Sequence, residues 1–328
     1  MRLSSILLSF LLAASAWLYG CQAKPEAHKA QTSTDPLTIY TTVYPLEDFT
    51  KKIGGDAVNV KSVYPPGVEA HTFEPTTKTV QQIADADAFI YIGHGMEPFA
   101  EKLQETLQHE HVRFLVATNG IELLDSNHEQ EHAHGEGHKD EHGEGHEEEH
   151  GHEHGDKDPH VWLDPIRSIA IAENIRDLLM ELKPEKKDLF MQNFETLKMK
   201  LERLDGQFRS TVEKAPRKEI LVSHQAYGYW EDRYGIKQLS VSGLSPSNEP
   251  SQKELTQLIQ TAKQHHIRYV IFEQNVHPKT AEVIQNEIGA KPLRLHNLES
   301  LTDEDRKAHK DYFSLMAENL RVLQKALD

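Results

Sequence analysis

The chain has 328 residues, and its 52 Asp and Glu outnumber its 36 Lys and Arg, which gives a formal net charge of −16. This acidic balance excludes nucleic acid or an anionic membrane surface as the main binding partner, because phosphate groups would be repelled. The single cysteine excludes a disulfide framework and cysteine-based zinc fingers, whereas the 21 histidines make the composition unusual.

The N-terminus has the form of a secretory signal peptide at residues 1–20, in which Arg2 precedes a short apolar stretch. The sequence LYGC at residues 18–21 resembles the bacterial lipobox, whose cysteine is acylated after cleavage. We therefore predict a lipid anchor at Cys21 that holds the protein on the outer face of the cell membrane. The alternative is an ordinary signal peptide followed by an incidental cysteine. Residues 21–36 are otherwise polar and aperiodic, which predicts a flexible tether.

Short apolar strands alternate with helices after the tether, which predicts an α/β lobe over residues 37–165 with a mostly parallel sheet. The wholly apolar run at residues 88–92 is typical of a strand buried inside such a sheet. The predicted strands are residues 37–43, 58–63, 88–92 and 114–117, and the predicted helices are residues 46–53, 79–84 and 97–107.

A segment of different composition interrupts this lobe at residues 128–158, where histidine, acidic residues and glycine leave almost no apolar side chain. Its twelve acidic residues and two lysines give a net charge of −10, which is most of the charge of the chain. A segment this polar cannot bury enough surface to fold, so we predict a disordered loop. Its nine histidines are His128, His132, His134, His138, His142, His146, His150, His152 and His154.

Helical periodicity resumes after residue 165 and predicts helices at residues 166–182 and about 185–213. The second helix would be a rod of roughly 40 Å, long enough to run beside two lobes. We therefore assign residues 166–215 to helices that include the one long helix linking the lobes. Alternating strands and helices then predict a second α/β lobe over residues 216–328. Its predicted strands are residues 219–223, 236–241, 269–273 and 292–296, and its predicted helices are residues 227–234, 252–265, 280–288 and 312–327.

Three histidines and one acidic residue lie where open α/β sheets place their ligands, beyond the carboxyl ends of strands. His71 follows the second strand, His160 precedes a helix, His224 follows a strand of the second lobe, and Glu299 follows the last strand. Three imidazoles and one carboxylate suit a tetrahedral Zn²⁺ site closed by four protein ligands. The spacing is not a local motif, however, and each histidine could instead cap a loop or fill a core.

Six short motifs resemble those of the cluster A-I solute-binding proteins of metal-importing ABC transporters, and specifically of their zinc branch. The resemblance extends from about residue 37 to the C-terminus. It implies two α/β lobes, one rigid linking helix and a metal ion in the cleft between the lobes. The motifs are TVYP at 42–45, EAHTFEP at 69–75, DPHVWLD at 158–164, SHQAYG at 223–228, FEQ at 272–274 and LHNLES at 295–300.

Carried over to this sequence, the resemblance implies that the metal ligands are His71, His160, His224 and Glu299. The manganese branch typically has carboxylates at the third and fourth positions, so His224 favours Zn²⁺ over the harder Mn²⁺. Water could replace Glu299, and its local competitors are His296, Asp303 and Glu304. Ligating imidazoles usually donate their other N–H to a carboxylate or carbonyl group. The candidate carboxylate partners are Glu74, Asp164 and Glu273, and each of them could instead be a helix cap or a surface charge.

In the zinc branch, a loop rich in histidine and acidic residues occupies the same position as residues 128–158. We interpret the loop as a collector that raises the local Zn²⁺ concentration near the cleft, and the alternative is a solvated spacer. The tight site should not need this loop, because unfolded ligands lose chain entropy on binding.

The resulting prediction is an extracytoplasmic receptor, not an enzyme, that captures Zn²⁺ and delivers it to an ABC permease for import. We expect a monomer with no nucleic-acid partner, attached to the membrane through Cys21. The alternatives are a Mn²⁺ or Fe²⁺ receptor of the same family, and a zinc-dependent hydrolase with Glu299 as general base. No predicted helix carries a His-Glu-x-x-His motif, and a hydrolase would keep an open metal position. A surface metal buffer or an adhesin remains a further class.

Overall fold

The computed structural model describes residues 35–125, 157–274 and 278–328. The predictions for the signal peptide, for Cys21 and most of the tether, and for the nine histidines of the loop lie outside these residues. Within the described ranges, no helix is both long enough and apolar enough to cross a membrane.

The first lobe contains a sheet of four strands with three helices. Its strands are β1 (Leu37–Thr41), β2 (Val58–Ser62), β3 (Ala88–Tyr91) and β4 (Arg113–Val116). Its helices are α1 (Tyr44–Gly54), α2 (Thr77–Ala84) and α3 (Ala100–Thr106). All strand pairs are parallel, in the order β2-β1-β3-β4. Every residue of β3 is buried, as its apolar sequence predicts.

Two helices join the lobes, namely α4 (Pro165–Leu182) and α5 (Lys187–Lys214). Asp164 caps α4 by accepting hydrogen bonds from the backbone N–H groups of Ile166 and Arg167, and Pro165 suits the first turn. A 3₁₀ turn at Pro184–Lys186 separates the two helices. The 28 residues of α5 correspond to a length of about 42 Å, in agreement with the predicted rod.

The second lobe repeats the architecture of the first. Its strands are β5 (Glu219–His224), β6 (Lys237–Ser242), β7 (Tyr269–Glu273) and β8 (Lys291–Leu295). Its helices are α6 (Gly228–Tyr234), α7 (Gln252–Gln264), α8 (Lys279–Ile288), α9 (Asp303–Lys307) and α10 (Tyr312–Leu327). The strands are again all parallel, in the order β6-β5-β7-β8. The prediction of two parallel α/β lobes is therefore confirmed.

In each sheet, the second strand in chain order lies on one side of the first strand, and the third and fourth strands lie on its other side. Open α/β sheets bind ligands beyond the carboxyl ends of their strands, at the point where the strand order reverses. In the second lobe, the two strands that meet at this point are β5 and β7, which end in His224 and Glu273. The topology thus places two polar side chains where a ligand is expected.

The lobes are joined by core contacts as well as by helices. The helix α5 packs against α1 and α4 and also against α6 and α10. One apolar core includes buried side chains of both lobes, among them Trp162, Trp230 and Tyr312. The Tyr312 hydroxyl donates to the Trp162 carbonyl at 2.8 Å, and the Trp230 indole N–H donates to the Leu163 carbonyl at 2.9 Å. A smaller core lies between the second sheet and the helices α7 and α8.

The structure differs from the predicted elements in a few places. The prediction puts His224 just after its strand, whereas His224 is the last residue of β5. The helix α9 and the 3₁₀ turns Ala70–Thr72 and Val161–Leu163 are not predicted, because they are too short to show a periodic pattern. The other strands and helices differ from their predicted bounds by a few residues at most.

Candidate metal centre

Two of the four predicted ligands lie on tight turns of the first lobe. His71 is the middle residue of the 3₁₀ turn Ala70–Thr72, and its backbone N–H donates to the Glu69 carboxylate at 2.9 Å. His160 immediately precedes the 3₁₀ turn Val161–Leu163 and is completely buried. Both imidazoles are therefore carried by short, hydrogen-bonded turns.

The other two predicted ligands come from the second lobe. His224 ends the central strand β5, and Glu299 lies in the loop that follows β8; both side chains are buried. The backbone N–H of Tyr44, at the start of α1 in the first lobe, donates to the Glu299 carbonyl at 3.0 Å. This hydrogen bond holds the loop with Glu299 against the first lobe, beside the histidines.

The structure brings the four predicted side chains together between the lobes. One ligand atom from each of His71, His160, His224 and Glu299 lies within 4.8 Å of all the others. The Nε2 atoms of His160 and His224 are 3.3 Å apart, and Oε1 of Glu299 is 3.6 Å from Nε2 of His71. Around tetrahedral Zn²⁺ with bonds of about 2.0–2.1 Å, ligand atoms lie roughly 3.3–3.4 Å apart. The spacing of the cluster therefore suits four-coordinate Zn²⁺.

Two of these ligand atoms have no hydrogen-bond partner within the described part of the chain. They are Nε2 of His71 and Oε1 of Glu299, and both atoms are buried. A buried polar atom without a partner costs about 1–3 kcal/mol, so two of them side by side need an explanation. A cation bound between them would satisfy both atoms.

The charges in the cluster are strongly coupled. Burial alone would lower the pKa of His160, but its contacts with Asp158 and Glu299 outweigh burial and raise the pKa to about 10. Burial alone would raise the pKa of the Glu299 carboxyl, but the imidazoles of His160 and His71 hold this pKa well below its usual range. The attraction between the two groups thus favours a proton on His160 beside the Glu299 carboxylate. A bound cation would replace that proton as the positive partner of the carboxylate.

Two of the imidazoles contact a carboxylate through their other ring nitrogen. Nδ1 of His160 lies 2.8 Å from Oδ1 of Asp158, and Nδ1 of His224 lies 2.5 Å from Oε1 of Glu273. At His160 this contact is a hydrogen bond, which keeps the proton on Nδ1 and leaves the lone pair of Nε2 free for a metal ion. Glu273, one of the predicted carboxylate partners, thus lies in contact with His224, although the two atoms do not meet the geometry of a hydrogen bond.

The other two predicted carboxylate partners, Glu74 and Asp164, are wrong. Glu74 is exposed, and the buried Asp164 caps α4 and pairs with Nε of Arg233 at 2.6 Å. Asp158 contacts His160 instead, and it is not among the predicted partners. The sequence feature that could have identified Asp158 is its position two residues before His160. From there its carboxylate also accepts the backbone N–H of His160 at 2.9 Å.

The predicted competitors of Glu299 lie away from the cluster. Nε2 of His296 is 3.3 Å from Oδ2 of Asp305, and its Nδ1 accepts the backbone N–H of Leu298 at 2.9 Å. Asp303 and Glu304 are exposed residues in the first turn of α9. Glu299 is therefore the acidic residue of this segment that joins the three histidines.

Comparison with known protein families and curated proteins gives a consistent result. The profile of the family described as ZnuA, zinc-uptake complex component A, periplasmic, matches residues 39–326. The zinc-binding lipoprotein AdcA of Streptococcus pneumoniae is 38% identical over 331 aligned residues, which cover 100% of this chain and 62% of AdcA. The high-affinity zinc uptake system protein ZnuA of Bacillus subtilis is 36% identical over 318 residues, which cover 97% of this chain and 94% of that protein. The chain thus spans less than two thirds of AdcA but nearly all of the Bacillus protein.

Solved structures agree with this result. The Zn(II)-bound ZnuA-like domain of Streptococcus pneumoniae AdcA matches with a TM-score of 0.72 and 36% identity, covering 89% of this chain and 99% of that domain. The AdcAII protein of the same species matches with a TM-score of 0.76 and 28% identity, covering 90% of this chain and 100% of the other. The two-lobe architecture is therefore shared with both proteins.

Proposed function

The chain belongs to the ZnuA family of zinc-uptake components, and on that premise we propose that it is an extracytoplasmic receptor that captures Zn²⁺ and delivers it to an ABC permease. The observation that carries the proposal is the convergence of three imidazoles and one carboxylate between the lobes, within 4.8 Å of one another. In this function the ion is cargo, which is bound and released without any bond of a substrate being broken.

The ligands in this proposal are Nε2 of His71, His160 and His224 together with Oε1 of Glu299. Zn²⁺ imposes no geometry through its d electrons and readily accepts a mixture of nitrogen and oxygen ligands. Mn²⁺ prefers sites richer in oxygen. Three nitrogen donors therefore support zinc over the alternative of a manganese receptor in the same family.

The geometry supports binding and release over hydrolysis. A hydrolytic zinc site keeps one position open for water, whereas Oε1 of Glu299 lies 3.6 Å and 3.7 Å from Nε2 of His71 and His160 and would fill the fourth position. We therefore propose that the protein is not an enzyme.

The proposal includes an attachment to the membrane. Cys21 would carry the lipid anchor, and the name of AdcA as a lipoprotein supports this. The receptor would act as a monomer at the outer face of the cell membrane, where it meets its permease. The proposed segments are a signal peptide at 1–20, a lipidated cysteine and tether at 21–36, a first lobe at 37–165, joining helices at 166–215 and a second lobe at 216–328.

The histidine-rich loop at residues 128–158 would collect Zn²⁺ for the cleft. The described structure resumes at Lys157, and the next residue, Asp158, contacts the proposed ligand His160. The loop therefore rejoins the described structure next to the site. Deletion of residues 128–154 should remove weak Zn²⁺ binding and leave the tight site intact.

Titration of Zn²⁺ against a competing chelator tests the ligand assignment. The samples are the lipid-free chain and the variants His71→Ala, His160→Ala, His224→Ala and Glu299→Ala. The matched control is His265→Ala, because this exposed histidine pairs with Glu219 away from the cluster. We expect one tight Zn²⁺ per native chain, a large loss of affinity in each of the four variants and no change in the control. Unchanged affinity in His224→Ala would contradict the assignment to zinc.

A further inference from the structure

We propose that Asn297 is a positioning residue that fixes His224 and Glu299 relative to each other in the metal site. The proposal rests on the ligand assignment given above. Asn297 lies in the loop after β8, two residues before Glu299, and is buried. Its side chain is an amide with no charge, so its contribution has to come from its hydrogen bonds.

The Asn297 amide connects the two ligands through its two ends. Its Oδ1 accepts the backbone N–H of Glu299 at 3.1 Å, and its Nδ2 donates to Oε2 of Glu273 at 3.2 Å. The other oxygen of Glu273 lies 2.5 Å from Nδ1 of His224. One continuous chain of contacts therefore runs from the imidazole of His224, through Glu273 and Asn297, to the backbone of Glu299.

This network requires an amide at position 297. The N–H of Glu299 can only donate and the carboxylate of Glu273 can only accept, so the two contacts fix which end of the amide is oxygen. An aspartate would place a second carboxylate beside Oε2 of Glu273 in a buried site, where like charges repel strongly. An aliphatic residue would leave the N–H of Glu299 and one oxygen of Glu273 without these partners.

The backbone of Asn297 extends the network to the first lobe. Its carbonyl accepts the indole N–H of Trp162 at 2.8 Å, and Trp162 lies two residues after His160. Trp162 is completely buried, so this contact has a rigid base. Asn297 thus links the segments that carry three of the four proposed ligands, and these segments come from both lobes.

A charge-preserving exchange of the two side chains tests the proposal. In Asn297→Asp, the new carboxylate faces the carboxylate of Glu273. In Glu273→Gln, the new amide N–H group faces the amide N–H group of Asn297. In the double variant, the new amide at position 273 can donate to the new carboxylate at position 297, and its oxygen can still contact Nδ1 of His224. That carboxylate can still accept the backbone N–H of Glu299. The double variant therefore rebuilds every contact with the same net charge.

The readouts are the affinity for Zn²⁺ in competition with a chelator and the visible spectrum of the Co²⁺-loaded chain, which reports ligand geometry. Loss of a partner of a metal ligand typically weakens metal binding by about 10–100-fold. We expect losses of this size and altered Co²⁺ bands in each single variant, with recovery of both in the double variant. The matched control is Asn174→Asp, because the Asn174 amide donates to two backbone carbonyls outside the site, each at 2.9 Å. It should keep the native spectrum.

The outcomes separate this proposal from the ligand assignment. If the native chain binds no Zn²⁺ tightly, or His224→Ala binds like the native chain, the proposed function fails. If His224→Ala loses binding but Asn297→Asp keeps native affinity and spectrum, only the role of Asn297 is overturned. A double variant that shows the summed defects of the single variants also overturns it. If Asn297→Asp does not fold, as judged by circular dichroism, the same two readouts on Asn297→Ser decide the question.

Discussion

In His160 and His224, the two ring nitrogens make different contacts. In each ring, Nδ1 contacts a carboxylate, and Nε2 faces the point shared with the other ligands. The contact holds the orientation of each ring, and at His160 the hydrogen bond to Asp158 also fixes the tautomer. His71 differs, because its side chain has the greatest exposed fraction of the four, 8%. The two more buried imidazoles are thus oriented in advance, and His71 completes the cluster.

Glu97 is a buried carboxylate outside this cluster. It accepts hydrogen bonds from the Thr42 hydroxyl at 2.5 Å and from the backbone N–H groups of Ile92 and Gly93 at 3.0 Å and 2.9 Å. Burial nevertheless outweighs these hydrogen bonds and raises the pKa of Glu97 from 4.5 to about 7. The folded chain therefore binds this proton more tightly than the unfolded chain does.

We expect Glu97→Gln to flatten the pH dependence of stability. The stabilisation from protonated Glu97 is fully present below about pH 4.5 and is lost as the pH rises through about 7. The pKa difference corresponds to about 3 kcal/mol at most. Urea unfolding of the metal-free chain at about pH 5 and about pH 8 measures this loss. The control is Glu101→Gln, at an exposed position of α3, which should lose as much stability between the two pH values as the native chain does. If Glu97→Gln also loses as much stability as the native chain, the expectation is wrong.

Local patterns predict the strands and long helices well, because a strand or helix that buries one face repeats its apolar residues with a fixed period. The long helix α5 and the closing helix α10 are predicted nearly to their ends. The turn Ala70–Thr72 is too short to show such a period. The strand order of each sheet cannot be predicted from any single segment. These features depend on contacts between distant parts of the chain.

The same distinction applies to the metal centre. Residue type and position single out His71, His160, His224 and Glu299, and the family resemblance joins them into one set. Asn297 lies in the LHNLES motif at residues 295–300, but its proposed role depends on Glu273, 24 residues earlier in the chain. A contact over this distance has no local signal, so it could only be found in the structure.

The helix α4 is fixed to the second lobe through its N-terminal cap. Asp164 is fully buried, and it contacts Nη1 of Arg167 at 2.8 Å as well as Nε of Arg233, on α6, at 2.6 Å. We expect Asp164→Ala to lower the free energy of unfolding by about 3 kcal/mol, because a helix cap and a buried ion-pair partner are both lost. The affinity for Zn²⁺ should change little.

Urea unfolding and Zn²⁺ titration of the same preparation test this expectation. The control is Asp177→Ala, because Asp177 is an exposed residue of the same helix and pairs with Arg176 at 2.6 Å. Exposed pairs contribute about 0–1 kcal/mol, so the control should unfold like the native chain. A large loss of Zn²⁺ affinity in Asp164→Ala with unchanged stability would show that Asp164 supports the metal centre and not the fold.

The lobes also contact each other directly, outside the proposed metal site. Buried side chains of both lobes form one apolar core. The backbone N–H of Tyr44 donates to the Glu299 carbonyl at 3.0 Å, and that of Gly67 donates to the Leu301 carbonyl at 2.9 Å. Wide separation of the lobes would expose this core and break these hydrogen bonds, so the release of an ion is expected to start with a smaller movement.

The segment that carries His71 is the most suitable part of the site to move. It connects β2 to α2 mainly through turns, and its imidazole is the most exposed of the four. The other three proposed ligands are completely or almost completely buried. Regions with few buried contacts open at low free-energy cost. We therefore expect residues 65–76 to lose the most hydrogen-exchange protection when Zn²⁺ is removed.

Hydrogen exchange followed by mass spectrometry on the full chain, with Zn²⁺ or with excess chelator, measures this difference. Peptides that contain residues 161–163 or 296–301 should change less than residues 65–76, because all of their residues are buried, whereas most of residues 65–76 are exposed or half-buried. The fully buried strand β3 serves as the internal control and should not change. If residues 161–163 and 296–301 lose protection to the same extent as residues 65–76, the lobes separate as rigid bodies when the ion leaves, and release through the His71 segment is wrong.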